Sequence, residues 1–313
     1  MLVKGQWKSK WDPVQAKDSD GRFLRQASAF NNRIANPKKA VDHGLRLYVA
    51  YICPWATRTL IARSLLGLEH LIDVKVVEPQ LDDFGWQFGS FPGATSSGIE
   101  TVEFVHQLYT MTDDQYTGRA TVPVLWDIDQ GRIINNESSE ILRILNDDLR
   151  PLHNAGINLY PDKLRREIDV FNDSIYHSVN NGVYRAGFAS SQQAYDEAVH
   201  NLFERLDQLD QHFENNDYAV GNQLTESDIR LFVTLVRFDP AYYGLFKTNI
   251  KSIEDYPSLS AYLERLLTIK AFAENTRLDH IKAGYYSIKA LNPSRIVPMG
   301  PELDWFQYLS EGV

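Results

Sequence analysis

The stretch Tyr51-Ile52-Cys53-Pro54-Trp55-Ala56-Thr57-Arg58 holds the only cysteine of the 313-residue chain, at a point where a strand-like pattern gives way to a helical one. Leu45 to Ile52 (Leu-Arg-Leu-Tyr-Val-Ala-Tyr-Ile) is rich in apolar, β-branched and aromatic side chains, which predicts a largely buried strand. Pro54 suits a first helical turn, where its missing N–H has no intrahelical partner, and Leu60, Ile61, Leu65 and Leu66 then recur at helical spacing. Cys53 is thereby placed at or just before a helix N-terminus. Free N–H groups and the positive end of the helix dipole favour thiolate there and lower a thiol pKa from about 8.5 toward about 4 to 7. Arg58, one turn on, adds positive charge. The competing reading is a small buried core residue, the usual fate of a lone cysteine. A dithiol cycle is excluded, because Cys53-Pro54-Trp55-Ala56 has no second cysteine where a Cys-x-x-Cys motif carries one.

The length allows a substantial core and two domains, and 43% hydrophobic with 23% charged residues is ordinary globular usage. Met1 to Trp7 has no apolar signal core, and no apolar run approaches the roughly 18 residues of a membrane span. One cysteine allows no intrachain disulfide, so the expected compartment is a reducing cytoplasm. A net charge of −9 argues against nucleic acid or an acidic membrane surface as the main partner. The sequence has no zinc-type spacing, Gly-rich phosphate loop or His-Glu-x-x-His, so the eight histidines read as surface or core residues rather than ligands.

Residues 1–40 are polar and irregular and read as an N-terminal extension with Trp7, Trp11 and the run from Gly21 to Phe30 as packing anchors. Residues 41–150 read as strand, helix, strand, a long insertion, two strands and a helix. Ile72 to Val77 is the second strand; residues 79–118 have little periodicity and suggest a long functional loop. Thr121-Val122-Pro123-Val124-Leu125-Trp126 reads as a strand interrupted by proline. That implies an edge or a cis peptide, with backbone groups left to pair with a peptide-like ligand. Asn135 to Glu140 opens a helix. There Glu137 and Ser138 are read either as plain caps or as groups that grip an ammonium and a carboxylate. Residues 151–289 are all helical in pattern. Ile168, Phe171, Ile175 and Val179 form one stripe, Tyr195, Ala198, Leu202, Leu206, Leu209 and Phe213 another, and Leu259, Tyr262, Leu263, Leu266 and Leu267 mark a further helix. Leu224-Thr225-Glu226-Ser227-Asp228-Ile229 fits a capping box ahead of a run, Ile229 to Phe238, apolar enough to be the buried spine of its domain. Residues 290–313 form an irregular tail, whose Glu302-Leu303-Asp304-Trp305 suits either a subunit contact or a solvated surface.

Taken together, five strings resemble the glutathionyl-hydroquinone reductases, the Xi-class glutathione transferases: Cys53-Pro54-Trp55-Ala56, Gly118-Arg119-x-Thr121-Val122-Pro123-Val124-Leu125-Trp126-Asp127, Asn136-Glu137-Ser138-Ser139-Glu140-Ile141, Leu231-Phe232-x-Thr234-Leu235-x-Arg237-Phe238-Asp239, and Arg295-Ile296-Val297-Pro298-x-Gly300-Pro301. Each alone is weak; five in order, from about Phe23 to Pro301, are specific. The resemblance implies the glutathione transferase fold, an α/β thioredoxin-like N-terminal domain plus an all-α C-terminal domain, assembled as a homodimer. It implies Cys53 as the nucleophile that forms a mixed disulfide with glutathione. Val122, before Pro123, would pair its backbone with the glutathione cysteinyl unit. Glu137 and Ser138 would hold the γ-glutamyl end, and Trp86 and Arg119 the other end of the tripeptide. Tyr184 and Tyr285 match tyrosines of the aromatic acceptor site, with Tyr242, Tyr243 and Tyr286 as further candidates beside them.

The implied reaction reduces a glutathionyl-hydroquinone to hydroquinone with glutathione as co-substrate and without metal, flavin or nicotinamide. Two other readings remain at this point: an omega-like thiol transferase or dehydroascorbate reductase, which needs the cysteine but no aromatic pocket, and a catalytically silent scaffold of the same fold. The chain departs from the family pattern at Thr57 and Gly284, where histidine is common, and at Ser287-Ile288-Lys289.

Overall fold

The computed structural model describes residues 1–9 and 17–309; Trp11, expected as a packing anchor, lies outside the described residues. The chain divides into two compact units. One takes in Gln26–Ile157 with the first residues of the chain, and the other takes in Asn158 onward with the segment ending at Arg25.

The first unit begins with a small hairpin, β1 (Leu2–Val3) and β2 (Gln6–Trp7). Helix α1 (Pro37–His43) follows, entered through Asn36, whose side chain accepts the Lys39 N–H. Next come β3 (Leu45–Val49), α2 (Pro54–Leu65), β4 (Ile72–Val76), α3 (Val105–Thr112), β5 (Val124–Asp127), β6 (Arg132–Asn135) and α4 (Ser138–Arg143). The main sheet has the order β4-β3-β5-β6. Strand β3 runs parallel to β4 and antiparallel to β5, with Leu45 opposite both Ile72 and Asp127. As an interior strand, β3 is apolar apart from Arg46, which pairs with Asp73 of β4 at 2.8 Å; Leu47, Tyr48 and Val49 are fully buried. Helix α2 is the crossover from β3 to β4 and is buried from Ala56 to Ala62.

Two expectations are corrected here. The stretch 79–118 is not loop throughout: Val105, Leu108 and Tyr109, at helical spacing, bury one face of α3, whose N-terminus is capped by Gln107 accepting the Phe104 N–H at 2.8 Å. Eight residues give the pattern barely two turns in which to show. The other concerns Pro123. It interrupts no strand, because the ladder starts at Val124, and β5 is an interior strand rather than an edge; the other alternative, a cis peptide, is the one found, at Val122–Pro123.

The second unit is helical: α5 (Arg165–Ile175), α6 (Gly182–Gly187), α7 (Gln192–Phe213), α8 (Glu226–Arg237), α9 (Tyr243–Leu245), α10 (Pro257–Leu267), α11 (Lys270–Ala273) and α12 (Leu278–Tyr285). Every residue of α8 except Arg230 is buried, as expected of a spine. Its capping box forms as read: Ser227 N–H donates to Thr225 Oγ1, and Thr225 N–H donates to Asp228 Oδ2 at 2.8 Å. After Arg237 the helix widens into a π turn, Phe238–Tyr242, in which the Tyr243 N–H reaches back to the Phe238 carbonyl. Pro240, which has no N–H to donate, sits inside that turn. The turn separates two consecutive tyrosines: Tyr242 is fully buried, whereas Tyr243 is 37% exposed. Trp305 of the tail is buried within its own chain, in a 3-10 turn beside α10.

Asp239, in the same π turn, accepts the Ile253 N–H at 2.8 Å, and burial pushes its carboxyl up to about 7. Between roughly pH 4 and that value the unfolded chain releases a proton that the folded chain keeps, so this group costs stability as pH rises. Asp239→Asn is expected to raise Tm progressively over wild type between pH 5 and pH 8. An equal Tm difference at both ends, by scanning calorimetry, would contradict it.

Candidate active site

Cys53 is the N-cap of α2, with an extended backbone (φ −77°, ψ 114°), so it stands at the positive end of the helix dipole. It is partly exposed, and its thiol lies 3.6 Å from the carbonyl oxygen of Val122, the residue ahead of cis-Pro123. Thr57, where the resemblance led to an expectation of histidine, is fully buried; its N–H and hydroxyl both donate to the Cys53 carbonyl, at 3.0 and 3.1 Å. Its role is to close the first turn of α2. Arg58 is 1% exposed, and its guanidinium covers the Trp55 ring at 4.4 Å. Its charge also reaches Glu137.

Glu137 is the N-cap of α4. Its Oε1 accepts the Ser139 N–H at 3.1 Å, and its Oε2 accepts the Ser28 hydroxyl at 2.9 Å. Burial alone would push the carboxyl up. The hydrogen bonds from Ser139 and Ser28, with the charge of Arg58, bring it below the usual range, so the group is an anion at neutral pH. Ser138, the first residue of the helix, is 2% exposed. Ser28 escaped the sequence reading because it lies in an irregular segment with no periodicity to mark it. A second unsuspected support is Tyr109. Its hydroxyl donates to the Thr121 carbonyl at 2.8 Å and accepts from Thr121 N–H at 3.1 Å and Asn136 Nδ2 at 3.0 Å, joining the segment before Pro123 to the segment before Glu137. Trp86 and Arg119 are both half-buried. The Trp86 carbonyl accepts the Val105 N–H at 2.9 Å, and the Arg119 carbonyl accepts the Tyr116 hydroxyl at 3.0 Å.

In the helical unit three of the five candidate tyrosines come together. The Tyr285 hydroxyl stands 2.6 Å from that of Tyr184 and 2.8 Å from that of Tyr242, and the Tyr184–Tyr242 pair is 3.5 Å apart. Burial pushes the Tyr242 and Tyr285 hydroxyls well above the usual phenol range, so both stay protonated through neutral and mildly alkaline pH. Tyr184 is half-buried and is the most accessible member. Phe246 closes the cluster, with ring centroids 5.5 Å from Tyr184 and 5.7 Å from Tyr285. Tyr243 and Tyr286 stand outside this hydroxyl triad. Arg25, in the run expected only to supply packing anchors, places its guanidinium 5.2 Å from the Tyr184 ring and donates to Asn181 Oδ1 at 2.8 Å. Among the described residues no group of three His, Cys, Asp or Glu side chains is placed to hold a metal ion, and no helix is long and apolar enough to cross a membrane.

Comparison with known proteins places this constellation in a family. Residues 52–148 match the glutathione S-transferase N-terminal domain and residues 192–265 the glutathione S-transferase C-terminal domain. The glutathionyl-hydroquinone reductase PcpF of Sphingobium chlorophenolicum is 43% identical over 302 residues, covering 96% of each chain. The Xi glutathione-S-transferase of Phanerochaete chrysosporium superposes with a TM-score of 0.90 at 46% identity, covering 95% of this chain and 98% of that one. The glutathione-bound structure of YqjG, a glutathione transferase homolog from Escherichia coli K-12, superposes with a TM-score of 0.84 at 42% identity, covering 97% and 96%. The chain belongs to the Xi class of glutathione transferases, the family that holds the glutathionyl-hydroquinone reductases.

Proposed function

We propose that this protein reduces glutathionyl-hydroquinones to hydroquinones, using glutathione and a mixed disulfide on Cys53. The observation that carries the reading is the placement of the only cysteine as the N-cap of α2 beside the Val122 carbonyl, in a chain 43% identical to a protein named for this activity. In the first step the Cys53 thiolate attacks the sulfur of the thioether. A sulfur–sulfur bond forms, the bond from sulfur to the ring carbon breaks, and its electron pair leaves with the ring and takes up a proton. Ketonisation of the hydroquinone, which protonates that carbon before or during attack, turns a poor leaving group into an acceptable one. A second glutathione thiolate then attacks the Cys53 disulfide, giving oxidised glutathione and free Cys53.

The glutathione is held, in this reading, by Glu137 and Ser138 at the γ-glutamyl end, by the backbone of Val122 next to Pro123 at the cysteinyl unit, and by Trp86 and Arg119 at the other end. The aromatic ring is assigned to Tyr184, Tyr242 and Tyr285, with the exposed Tyr243 and the half-buried Tyr286 as outer contacts. The proposed assembly is a homodimer, on the strength of the family; light scattering in solution measures it.

Release of hydroquinone from a glutathionyl-hydroquinone by purified protein plus glutathione tests the reading. Turnover supports it; inertness toward that substrate with ready turnover of dehydroascorbate would replace it with the thiol-transferase reading. Glu137→Gln removes the anion facing the γ-glutamyl ammonium, a charged hydrogen bond of about 2–3 kcal/mol, so the KM for glutathione is expected to rise about 30- to 150-fold. Because hydrogen bonds and Arg58 hold this carboxyl down, wild-type glutathione affinity is expected to persist below pH 5 and to fall only as the group finally protonates. Equal KM values for variant and wild type at pH 7 would remove Glu137 from the site.

A further inference from the structure

The hairpin β1–β2 has two residues in each strand, with Leu2 opposite Trp7. A two-stranded ribbon of this size has no stability of its own, so its conformation is set by what it docks on. One edge is laced to residues 116–118. Leu2 and Gly118 exchange both backbone hydrogen bonds, at 2.9 and 3.0 Å; Gly5 N–H donates to the Tyr116 carbonyl at 3.0 Å, and Lys4 N–H donates to Thr117 Oγ1 at 2.9 Å. The approach is close enough that a Cβ on Gly5, whose φ is +72°, would stand 1.9 Å from the Asp114 carbonyl oxygen. This laced segment runs directly into Arg119.

The other end of the hairpin grips a different loop. Trp7 Nε1 donates to the Asp83 carbonyl at 3.0 Å, and its ring lies over Gly85, where a Cβ would come within 3.0 Å of it. The indole also stacks on His106 (4.4 Å between centroids, 14° between planes), and His106 stacks in turn on Phe104 (5.4 Å, 9°). Burial lowers His106 to about 4, so it is a neutral ring at physiological pH. Gln87 bridges to Phe104, and the Trp86 carbonyl accepts from Val105. Trp86 is therefore flanked by Gly85, under Trp7, and by Gln87, held at the base of the same aromatic stack.

We infer that the N-terminal hairpin is the positioning element for the end of glutathione remote from its γ-glutamyl group: its Leu2–Gly5 edge fixes the segment that leads into Arg119, and its Trp7 fixes the loop that carries Trp86. This rests on the assignment of Trp86 and Arg119 to glutathione proposed above. Trp7 touches neither glutathione nor the reacting sulfur in this scheme; it acts through Trp86.

The test is steady-state kinetics with varied glutathione on Trp7→Ala, Trp7→Phe, Trp86→Ala, Arg119→Gln and the Trp7→Ala/Trp86→Ala double variant, with alkylation of Cys53 by iodoacetamide as a separate readout. Trp7→Ala is expected to raise the KM for glutathione about tenfold, leaving kcat at saturating glutathione and the alkylation rate within about twofold of wild type. Trp7→Phe, which keeps a stacking ring and loses the bond to Asp83, is expected to raise KM about threefold, and it decides the matter if Trp7→Ala is not recovered folded. The double variant should be no worse than Trp86→Ala alone, because one residue acts through the other. Wild-type KM in both Trp7 variants, or effects that multiply in the double variant, would overturn the inference and leave the site assignment standing. Wild-type KM in both Trp86→Ala and Arg119→Gln would instead overturn the assignment and the inference with it.

Discussion

Replacing Cys53 by serine or alanine is expected to lower glutathione-dependent release of hydroquinone by at least about 10³-fold, and to abolish the glutathione adduct seen by mass spectrometry of the intact protein. The size of the effect follows from the chemistry. In the proposed mechanism the bond formed in the first step is between two sulfurs, and a serine hydroxyl has neither the acidity nor the sulfur to form it. Because the chain has no other cysteine, no resolving thiol can substitute. The position adds its own factor, since the N-cap of a twelve-residue helix sets the positive end of the helix dipole against a developing thiolate, and Thr57, tied to the Cys53 carbonyl, leaves that role to the helix. Under the proposed assignment glutathione binding itself should survive the substitution, since Glu137, Ser138 and the Val122 backbone are untouched. Full loss of turnover with glutathione affinity retained is thus the expected pair of results. Residual turnover above about a tenth of wild type in Cys53→Ala would remove the thiol from the mechanism.

How far each part could be read in the sequence depended on how local its cause was. The strand ahead of Cys53, the proline-initiated helix after it and the Thr225–Asp228 capping box were legible because a few consecutive residues determine each. The helix Val105–Thr112 was not, since its buried face shows only Val105, Leu108 and Tyr109 before the pattern ends. The π turn at Phe238 is a compromise between helix continuation and Pro240, and periodicity alone cannot announce it. The tyrosine cluster is least legible of all. Tyr184 meets Tyr242 and Tyr285 across separations of 58 and 101 residues; the resemblance to a known family narrows sixteen tyrosines to five candidates, and nothing in the sequence separates these three from Tyr243 and Tyr286. Ser28 and Arg25 had no such help, although both lie in the run from Gly21 to Phe30 that was read simply as packing.

Tyr184→Phe is expected to lower kcat about 10²- to 10³-fold while changing the KM for glutathione less than about twofold, the loss of a positioned acid rather than of a binding contact. In the proposed reaction the ring carbon that gives up sulfur must gain a proton, and Tyr184, the accessible end of the hydroxyl cluster, is the group proposed to give it. When Tyr242 donates to Tyr285 and Tyr285 to Tyr184, the Tyr184 proton is the one not engaged within the triad, and the phenolate left after transfer keeps a 2.6 Å donor. That donor strengthens as charge develops on Tyr184, which is how a preorganised group favours the transition state over the ground state. Tyr285→Phe removes that donor and keeps the acid, so a smaller loss of about 10- to 100-fold is expected from it. The order of effects, Tyr184 above Tyr285, is the discriminating result, because simple packing predicts the reverse: Tyr285 is 3% exposed and Tyr184 half-buried. Since burial holds the Tyr285 and Tyr242 protons well above the usual phenol range, the network should remain intact to high pH, and kcat should show no fall on the alkaline side below about pH 9. A kcat that falls between pH 7 and pH 8 in wild type and no longer does so in Tyr285→Phe would place a titrating phenol in the cluster and contradict the relay as drawn.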